Sequence, residues 1–255
     1  MIAGLPSVVL VTFGAILGAI FGSFIATLVV RWPAGRSVAR GRSRCDGCGA
    51  PVAAIDLVPL LSFASRRGGA RCCSARIDPS HPIAELAALV IGGVAFLVAP
   101  PAAALAGAIF GWLLLALALL DIRHFWLPDR LTLALALLGV AGGLATILPP
   151  LVDRVIGGAI GYALFAAIRY FYRLLRGREG MGGGDAKLFG AIGLWLGWAM
   201  LPMVVLGASL FGLAFALALS AGGKPMARDT RLPFGPFLAL AAWGCWLAIA
   251  ITGTI

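Results

Sequence analysis

The stretch "LLLALALLDIRHFWLPDRL", Leu113–Leu131, joins two strongly apolar runs through a short charged turn. The run that ends at Asp121 and the run that follows Arg130 each approach the ~20 residues that a helix needs to cross a bilayer. A segment in lipid must satisfy its backbone hydrogen bonds internally, and an α-helix does so. The stretch therefore predicts two membrane-spanning helices that are connected at one edge of the membrane.

The same alternation of apolar runs and short polar turns continues along all 255 residues. The chain is 61% hydrophobic and 12% charged, and its mean hydropathy is +1.02. A soluble domain carries about twice that charged fraction. We expect an all-α, polytopic membrane helical bundle of about eight transmembrane helices. The predicted spans are 7–30, 83–99, 102–121, 131–149, 153–172, 187–200, 202–221 and 234–253.

The basic residues indicate how these spans are oriented. Nineteen of the twenty lysines and arginines fall in alternate connections, within 31–82, 121–130, 169–187 and 222–233, and only Arg154 does not. Loops rich in lysine and arginine remain in the cytoplasm, so both termini are expected outside. A net charge of +10 with this distribution indicates membrane orientation, and we predict no nucleic-acid binding.

Two acids lie where the predicted spans meet the cytoplasmic edge. Asp121 ends the third span, and Asp185 opens the sixth in "GMGGGDAK", Gly180–Lys187. Acids near the bilayer are costly and are candidates for function. Two carboxylates at one depth can share a proton and then act on water as general base and general acid. The glycines before Asp185 would let the backbone bring it to its partner.

Purely structural roles for these acids stay open at this point. Asp185 could be the cap of a helix N-terminus. Asp121 could pair with Arg123 or Arg130, and Asp129 could start the fourth helix. A transporter that uses membrane acids as a proton path is a further alternative, although the internal repeat of spans typical of transporters is not visible.

The polar stretch 31–82 contains two cysteine pairs, in "RCDGCGAPV" and "GGARCCSARI". Four thiolates can hold a zinc ion tetrahedrally, and a cytoplasmic location favours metal over disulfides. Cys45 and Cys48 have the spacing of a metal knuckle, whereas Cys72 and Cys73 are adjacent. The candidates are therefore four thiolates, three thiolates with His81 or water, or a loop held by packing and arginine contacts without metal.

Several motifs together resemble those of bacterial type IV prepilin peptidases, which are membrane aspartyl proteases with a GxGD motif. "GMGGGDAK" resembles the GxGD motif, and "DIRHFWLPDRL" resembles the family's first aspartate motif. "GSFIATLVVRWP", Gly22–Pro33, resembles its N-terminal motif, with Ala26 where asparagine is common, and the cysteine loop and "HPIAEL" follow in the family's order. In the second cysteine pair Ala70 stands where the family has cysteine.

This resemblance implies site residues and roles. Asp121 and Asp185 would be the catalytic pair, with Gly182, Gly184, Asp129 and Lys187 in support, and His124 is a weaker candidate for a neighbouring donor. The third span ends at Asp121 with a negative helix end, and the sixth begins near Asp185 with a positive one. We therefore expect the shared proton mainly on Asp121, and Asp185 as the base.

The resemblance also implies what the protein acts on and where. The substrates would be leader peptides of prepilins or pseudopilins, cleaved at the cytoplasmic face of a bacterial inner membrane among its lipids. N-methylation of the new N-terminus with S-adenosylmethionine would follow. The expected organisation is a first transmembrane helix at 1–30, a loop at 31–82 for zinc and methyl transfer, and a peptidase core at 83–255. Another GxGD protease remains the alternative within this class.

Overall fold

The computed structural model describes residues 6–38, 44, 45, 47–145, 147, 149–177, 181–222 and 232–252. Within these ranges the regular structure is helical, apart from two isolated β-bridges. The helices are α1 (Ser7–Arg31), α2 (Leu61–Ser65), α3 (Ser80–Val98), α4 (Pro101–His124), α5 (Asp129–Leu144), α6 (Leu151–Arg176), α7 (Gly183–Leu196), α8 (Leu201–Ala221) and α9 (Gly235–Ile251).

The eight predicted spans correspond one to one to α1 and α3 to α9. The five-residue α2 lies in the polar loop and is not a span. This confirms an all-α, polytopic membrane protein. Four helices (α1, α3, α4 and α6) and the segment Trp198–Ala221, which contains α8, are long and apolar enough to cross a membrane. The remaining apolar helices α5, α7 and α9 are shorter, with 16, 14 and 17 residues.

The two helix ends that carry the acids differ from the sequence prediction. α4 continues three residues past Asp121 to His124, and it ends where Phe125 takes a left-handed φ of 49°. The N–H of Phe125 donates to the carbonyl of Asp121. α7 begins at Gly183, four residues before the predicted start. Asp121 therefore lies in the last turn of α4, and Asp185 is the third residue of α7.

The chain divides into two compact units, one up to Ala116 and one from Leu117 onward. In the first unit, α1 packs on α3 through Gly14, Gly18 and Gly22. A Cβ at Gly14 would lie 2.6 Å from the carbonyl oxygen of Gly92, and one at Gly18 would collide with the carbonyl of Ala88. Small residues at four-residue spacing allow such close approach of membrane helices. The spacing in α1 therefore serves helix packing.

The cysteine loop of the first unit contains two tight turns. An antiparallel bridge of Arg44 with Pro51 encloses the first cysteine pair, and one of Gly69 with Arg76 encloses the second. The turns contact each other at Gly47, where a Cβ would lie 2.5 Å from the Cβ of Ala75. A glycine at this position therefore lets the two cysteine pairs meet.

In the second unit, α7 packs against α5, α6 and α9. Glycines again allow the close contacts: a Cβ at Gly157 would lie 2.7 Å from the carbonyl oxygen of Gly193, and one at Gly161 would lie 2.8 Å from that of Phe189. The indole N–H of Trp195 donates to the carbonyl of Leu135 at 2.6 Å. This packing holds α7, whose N-terminal end carries Asp185.

Candidate active site

Asp121 is buried near the C-terminal end of α4, with 6% of its surface exposed. Its Oδ2 accepts the backbone N–H of Gly235, the first residue of α9, at 2.9 Å. No ion pair joins Asp121 to Arg123 or Arg130 among the described residues, and both arginines are exposed. The pairing of Asp121 with Arg123 or Arg130, which the sequence left open, is therefore not seen among the described residues.

Asp185 is buried at the start of α7, with 7% of its surface exposed. Its Oδ2 accepts the N–H of Gly182 at 3.2 Å. This contact is half of a capping box, because the third helical residue reaches back to the residue before the helix. Asp185 therefore does cap its helix, as the structural alternative predicted. It also lies close enough to Asp121 for the negative charge of that residue to act on it.

The two aspartate motifs are in direct contact through the glycines of "MGGGD". A Cβ at Gly184 would lie 2.8 Å from the Cβ of Leu127, which belongs to the "LPD" segment. A Cβ at Gly183 would lie 2.9 Å from a guanidinium nitrogen of Arg169 on α6. A side chain at position 184 would push the two motifs apart, whereas one at position 183 would displace the mobile end of Arg169. Gly184 therefore allows the close approach of the two motifs.

Two of the residues assigned to support, Asp129 and Lys187, form an exposed ion pair, whereas Gly182 and Gly184 contact Asp185 and the first aspartate motif directly. Asp129, 73% exposed at its side chain, forms a 2.6 Å ion pair with Lys187, which is 47% exposed. This pair ties the start of α5 to α7, and Asp129 begins α5 as one alternative predicted. His124 is exposed, and within the described ranges it forms no hydrogen bond to Asp121.

The four sulfurs of Cys45, Cys48, Cys72 and Cys73 all lie within 4.8 Å of one another. The Sγ atoms of Cys45 and Cys73 are 3.7 Å apart, and those of Cys48 and Cys72 are 3.2 Å apart. A tetrahedral zinc with ~2.3 Å bonds places its sulfurs about 3.8 Å apart, so the cluster has the dimensions of a metal site. Cys72 takes the fourth position, and His81 lies outside the cluster.

Backbone donors polarise this cluster. Hydrogen bonds from the N–H groups of Cys48 and Gly47 lower the pKa of Cys45 to about 7. Hydrogen bonding to Cys48 and Cys45 raises the pKa of Cys72 to about 12. One thiol is therefore ready to ionise, while another holds a proton shared with its neighbours. Such a set can take up a divalent cation and release protons.

Sequence reasoning missed Gly235, Arg169 and Leu127, which contact the acids or their motifs. In the sequence, Arg169 belongs to a basic connection that indicates only membrane orientation. The segment "LPFGPF", Leu232–Phe237, places two prolines around Gly235 and carries a signal for a special backbone position. Nothing in the sequence indicated that this glycine meets Asp121, 114 residues away.

Comparison with known proteins shows which family this chain resembles. Residues 108–217 match the type IV leader peptidase family, and residues 16–99 match the bacterial peptidase A24 N-terminal domain. Three relatives named prepilin leader peptidase/N-methyltransferase are similar over most of the chain. The protein of Aeromonas salmonicida strain A449 is 40% identical over 79% of this chain and 69% of its own. The protein of Burkholderia pseudomallei strain K96243 is 38% identical over 93% of this chain and 85% of its own. The protein of Dickeya chrysanthemi is 37% identical over 89% of this chain and 88% of its own.

No solved structure gave a significant match. The fold and the site define a multi-pass helical membrane protein with two buried acids near the ends of different helices. Within that class, the two family matches and the extended similarity to these relatives decide the assignment. The chain belongs to the type IV leader peptidase family.

Proposed function

We propose that this protein is a membrane aspartyl peptidase that removes the leaders of type IV prepilins or pseudopilins. The observation that carries the proposal is the buried pair of Asp121 and Asp185, each held by a glycine N–H at a helix start. The name that these relatives carry, prepilin leader peptidase/N-methyltransferase, supports the substrate class. It gives no support to the transporter alternative.

The pair supplies the two groups that hydrolysis of a peptide bond needs. The ionised acid takes a proton from water as the water oxygen bonds to the carbonyl carbon. The protonated acid donates to the carbonyl oxygen, and a proton then passes to the leaving amine as the C–N bond breaks. Burial keeps competing water away from the pair and strengthens its electrostatic action on the substrate.

We place this reaction at the cytoplasmic face of a bacterial inner membrane. Support comes from the basic residues of the connections beside the acids, including exposed Arg123, Arg130 and Arg176. A prepilin would enter with its apolar segment in the bilayer and its basic leader on the cytoplasmic side. Its scissile bond would then lie at the depth of the two acids.

Cleavage can be tested with purified full-length protein in detergent and a prepilin that still carries its leader. We expect mass spectrometry to show a single cut that separates the basic leader from the apolar segment. Folded, monodisperse protein that leaves several prepilins and pseudopilins intact would contradict the proposal. Uptake of protons or solutes by reconstituted vesicles, without cleavage, would support the transporter alternative instead.

We further propose that the region 31–82 contributes to methyl transfer, with S-adenosylmethionine as the donor. When bound, that cofactor supplies an activated methyl group to the amine of the new N-terminus. A cavity of about 210 Å³ beside the cysteine cluster is lined by arginines and by Asp56 and Glu85. Arginines suit the cofactor's carboxylate, and the two acids suit its ammonium and sulfonium groups.

Asp56 is the lining acid that tests this fit. Its Oδ1 lies 2.6 Å from Arg66 and its Oδ2 lies 3.8 Å from Arg71, so two arginines hold its carboxylate in the cavity wall. We expect Asp56→Asn to weaken binding of labelled S-adenosylmethionine in equilibrium dialysis, with Asp129→Asn as control. If Asp56→Asn binds S-adenosylmethionine as wild type does and contains the same amount of metal, the cavity is not the binding site of the cofactor.

For the cysteine cluster we propose zinc in a structural role. The sulfur separations and the two facing turns support a closed tetrahedral site, because no position is left for a substrate. The ion would tie the first turn to the second and so hold the loop that lines the cavity. Hydrolysis would still be performed by Asp121 and Asp185, which belong to the proposed peptidase core, 83–255.

A further inference from the structure

The carboxyl of Asp121 contacts the first residue of α9, Gly235. The N–H of Gly235 belongs to the first residue of that helix, so no carbonyl within the helix can accept it. It donates instead to Oδ2 of Asp121 at 2.9 Å, in a buried position. A buried N–H keeps an acceptor because leaving it unpaired is costly. One oxygen of Asp121 is thereby committed to this donor.

Only glycine permits the contact in this geometry. A Cβ at position 235 would lie 2.7 Å from Oδ2, 3.2 Å from Cγ and 3.4 Å from Cβ of Asp121. The first of these separations is too short for a Cβ contact, so the acid or the start of α9 would have to move. Gly235 therefore acts by its N–H and by the absence of a side chain.

Neighbouring aromatic residues hold the start of α9 in place. The ring of Phe234 lies 6.2 Å from that of Phe165 on α6, and Phe165 stacks on Phe189 of α7 at 4.2 Å. Pro236 follows Gly235 within the first turn, where its fixed φ suits a helix and its missing N–H costs nothing. These contacts orient the N–H of Gly235 independently of Asp121.

The second acid is held in the same way. Oδ2 of Asp185 accepts the N–H of Gly182 at 3.2 Å. Among the described residues, Oδ1 of Asp121 and Oδ1 of Asp185 have no hydrogen-bond partner. The two glycine amides thus occupy one oxygen of each acid and leave one oxygen of each for a proton, for water or for substrate.

We propose that Gly235 is a positioning residue for Asp121, whose N–H reserves Oδ2 as an acceptor and thereby assigns the proton to Oδ1. A protonated carboxyl accepts through its carbonyl oxygen and carries the proton on the other. With Oδ2 held by an N–H, proton gain and loss during hydrolysis take place at a fixed atom. This inference rests on the proposed peptidase function, and it adds the residue that orients one of its two acids.

The first test compares Gly235→Ala with Gly244→Ala in the same helix. Gly244 is exposed, and a Cβ there would meet nothing within 4 Å. We expect Gly235→Ala to lower kcat for prepilin cleavage roughly 10- to 100-fold with KM unchanged, which corresponds to one hydrogen bond to a charged group. Gly244→Ala should cleave like wild type. Wild-type kcat in Gly235→Ala would overturn the proposal.

A second variant separates the lost donor from misfolding. Glycolic acid at position 235, introduced by cell-free translation with a charged suppressor tRNA, replaces the N–H with an ester oxygen and adds no side chain. We expect a similar loss in kcat and a shift of the protonated Asp121 C=O band to higher frequency in isotope-edited infrared spectra. Wild-type kcat or an unshifted band would overturn the positioning role.

The outcomes also separate this inference from the proposed function. If wild type and Gly244→Ala cleave prepilins while both position-235 variants are impaired, the function and the inference both stand. If all four proteins cleave equally, the peptidase function stands and the inference fails. If wild type does not cleave, the proposed function itself fails. In that case the infrared band alone still reports whether the Gly235 N–H holds Asp121.

Discussion

Asp121 and Asp185 are both buried, yet neither is matched by a basic side chain within hydrogen-bonding distance among the described residues. Their partners are the backbone amides of Gly235 and Gly182. A backbone N–H stabilises a carboxylate without neutralising it, so each acid can still exchange a proton. Asp129 differs from both acids, because the lysine of its exposed ion pair, Lys187, neutralises its charge.

The first prediction concerns this pair. Asp121→Asn and Asp185→Asn should each abolish prepilin cleavage while substrate binding and thermal stability are retained, because attack by water needs one acid and one base. Cleavage is measured by mass spectrometry with the purified variants. Asp153→Asn, which loses only an exposed hydrogen bond from the Trp198 indole N–H, is the control and should cleave. Substantial activity in either site variant would exclude a dyad.

Arg154 is the basic residue that did not fit the pattern of orienting charges, and the structure explains why. It is 2% exposed and donates to the carbonyls of Gly139, Ile147, Pro149 and Leu194. It thus joins the end of α7 to α5 and to the turn before α6. Its role within this unit is to satisfy buried backbone acceptors.

The second prediction follows from these bonds. Arg154→Leu should lower the melting temperature strongly, because each buried acceptor left unpaired costs about 1–3 kcal/mol. Arg176→Leu, an exposed arginine at the end of the same helix, is the matched control and should melt near wild type. Melting is followed in detergent by circular dichroism or by dye fluorescence. Equal melting of both variants would show that the Arg154 clamp contributes little.

At the scale of the elements, the helix ends bear on the position of the shared proton. Asp121 lies at the negative C-terminal end of α4, which favours its protonated form. Its carboxyl also meets the positive N-terminal end of α9 at Gly235, as Asp185 meets that of α7. The α9 contact offsets part of the difference between the two acids, and a shared proton mainly on Asp121 stays a prediction.

The cysteine loop is an element whose stability we expect to depend on metal. The third prediction is that purified protein contains about one zinc per chain, and that chelation or Cys45→Ser reduces the order of the loop. Because the thiols must ionise to bind metal, affinity should fall as the pH is lowered. Elemental analysis that finds no metal in active protein would exclude the site. Cys72→Ser and Cys73→Ser should both lose metal, whereas Cys245→Ser should retain it.

The contact of α1 with α3 gives the fourth prediction. Gly18→Val places a branched side chain against the backbone of Ala88, where even a Cβ does not fit. Overpacking of this kind costs about 1–3 kcal/mol or more. We expect a clear loss of thermal stability and of yield, with Gly244→Val on the open side of α9 as control. Equal stability of the two variants would mean that α1 and α3 do not pack as described.

At the scale of the whole molecule, charge asymmetry gives the fifth prediction. The segment after α6 should face the cytoplasm and the end of α9 should face outward. A fluorescent-protein fusion after Gly177 should fluoresce, and an alkaline phosphatase fusion after Thr252 should be active in cells. The reverse pair of fusions is the control and should be silent. Phosphatase activity after Gly177 would invert the topology and place the acids on the wrong side for a cytoplasmic leader.

The sequence by itself determined the architecture, because crossing a bilayer imposes a local rule. Each span must supply its own backbone hydrogen bonds and apolar side chains over about 20 residues. That requirement is visible in any window of the sequence, and so the eight apolar helices could be predicted. The same holds for Asp121 and Asp185, because charged residues at the ends of apolar runs are conspicuous.

Only the tertiary structure decided how these acids are held. The bond from Gly235 to Asp121 joins residues 114 positions apart, and no local pattern encodes which helix start meets which side chain. The same is true of Cys72, whose place among the four sulfurs depends on two turns meeting at Gly47. Arg154, too, owes its partners to the packing of α5, α6 and α7. Partners distant along the chain are chosen by packing, which sequence periodicity does not specify.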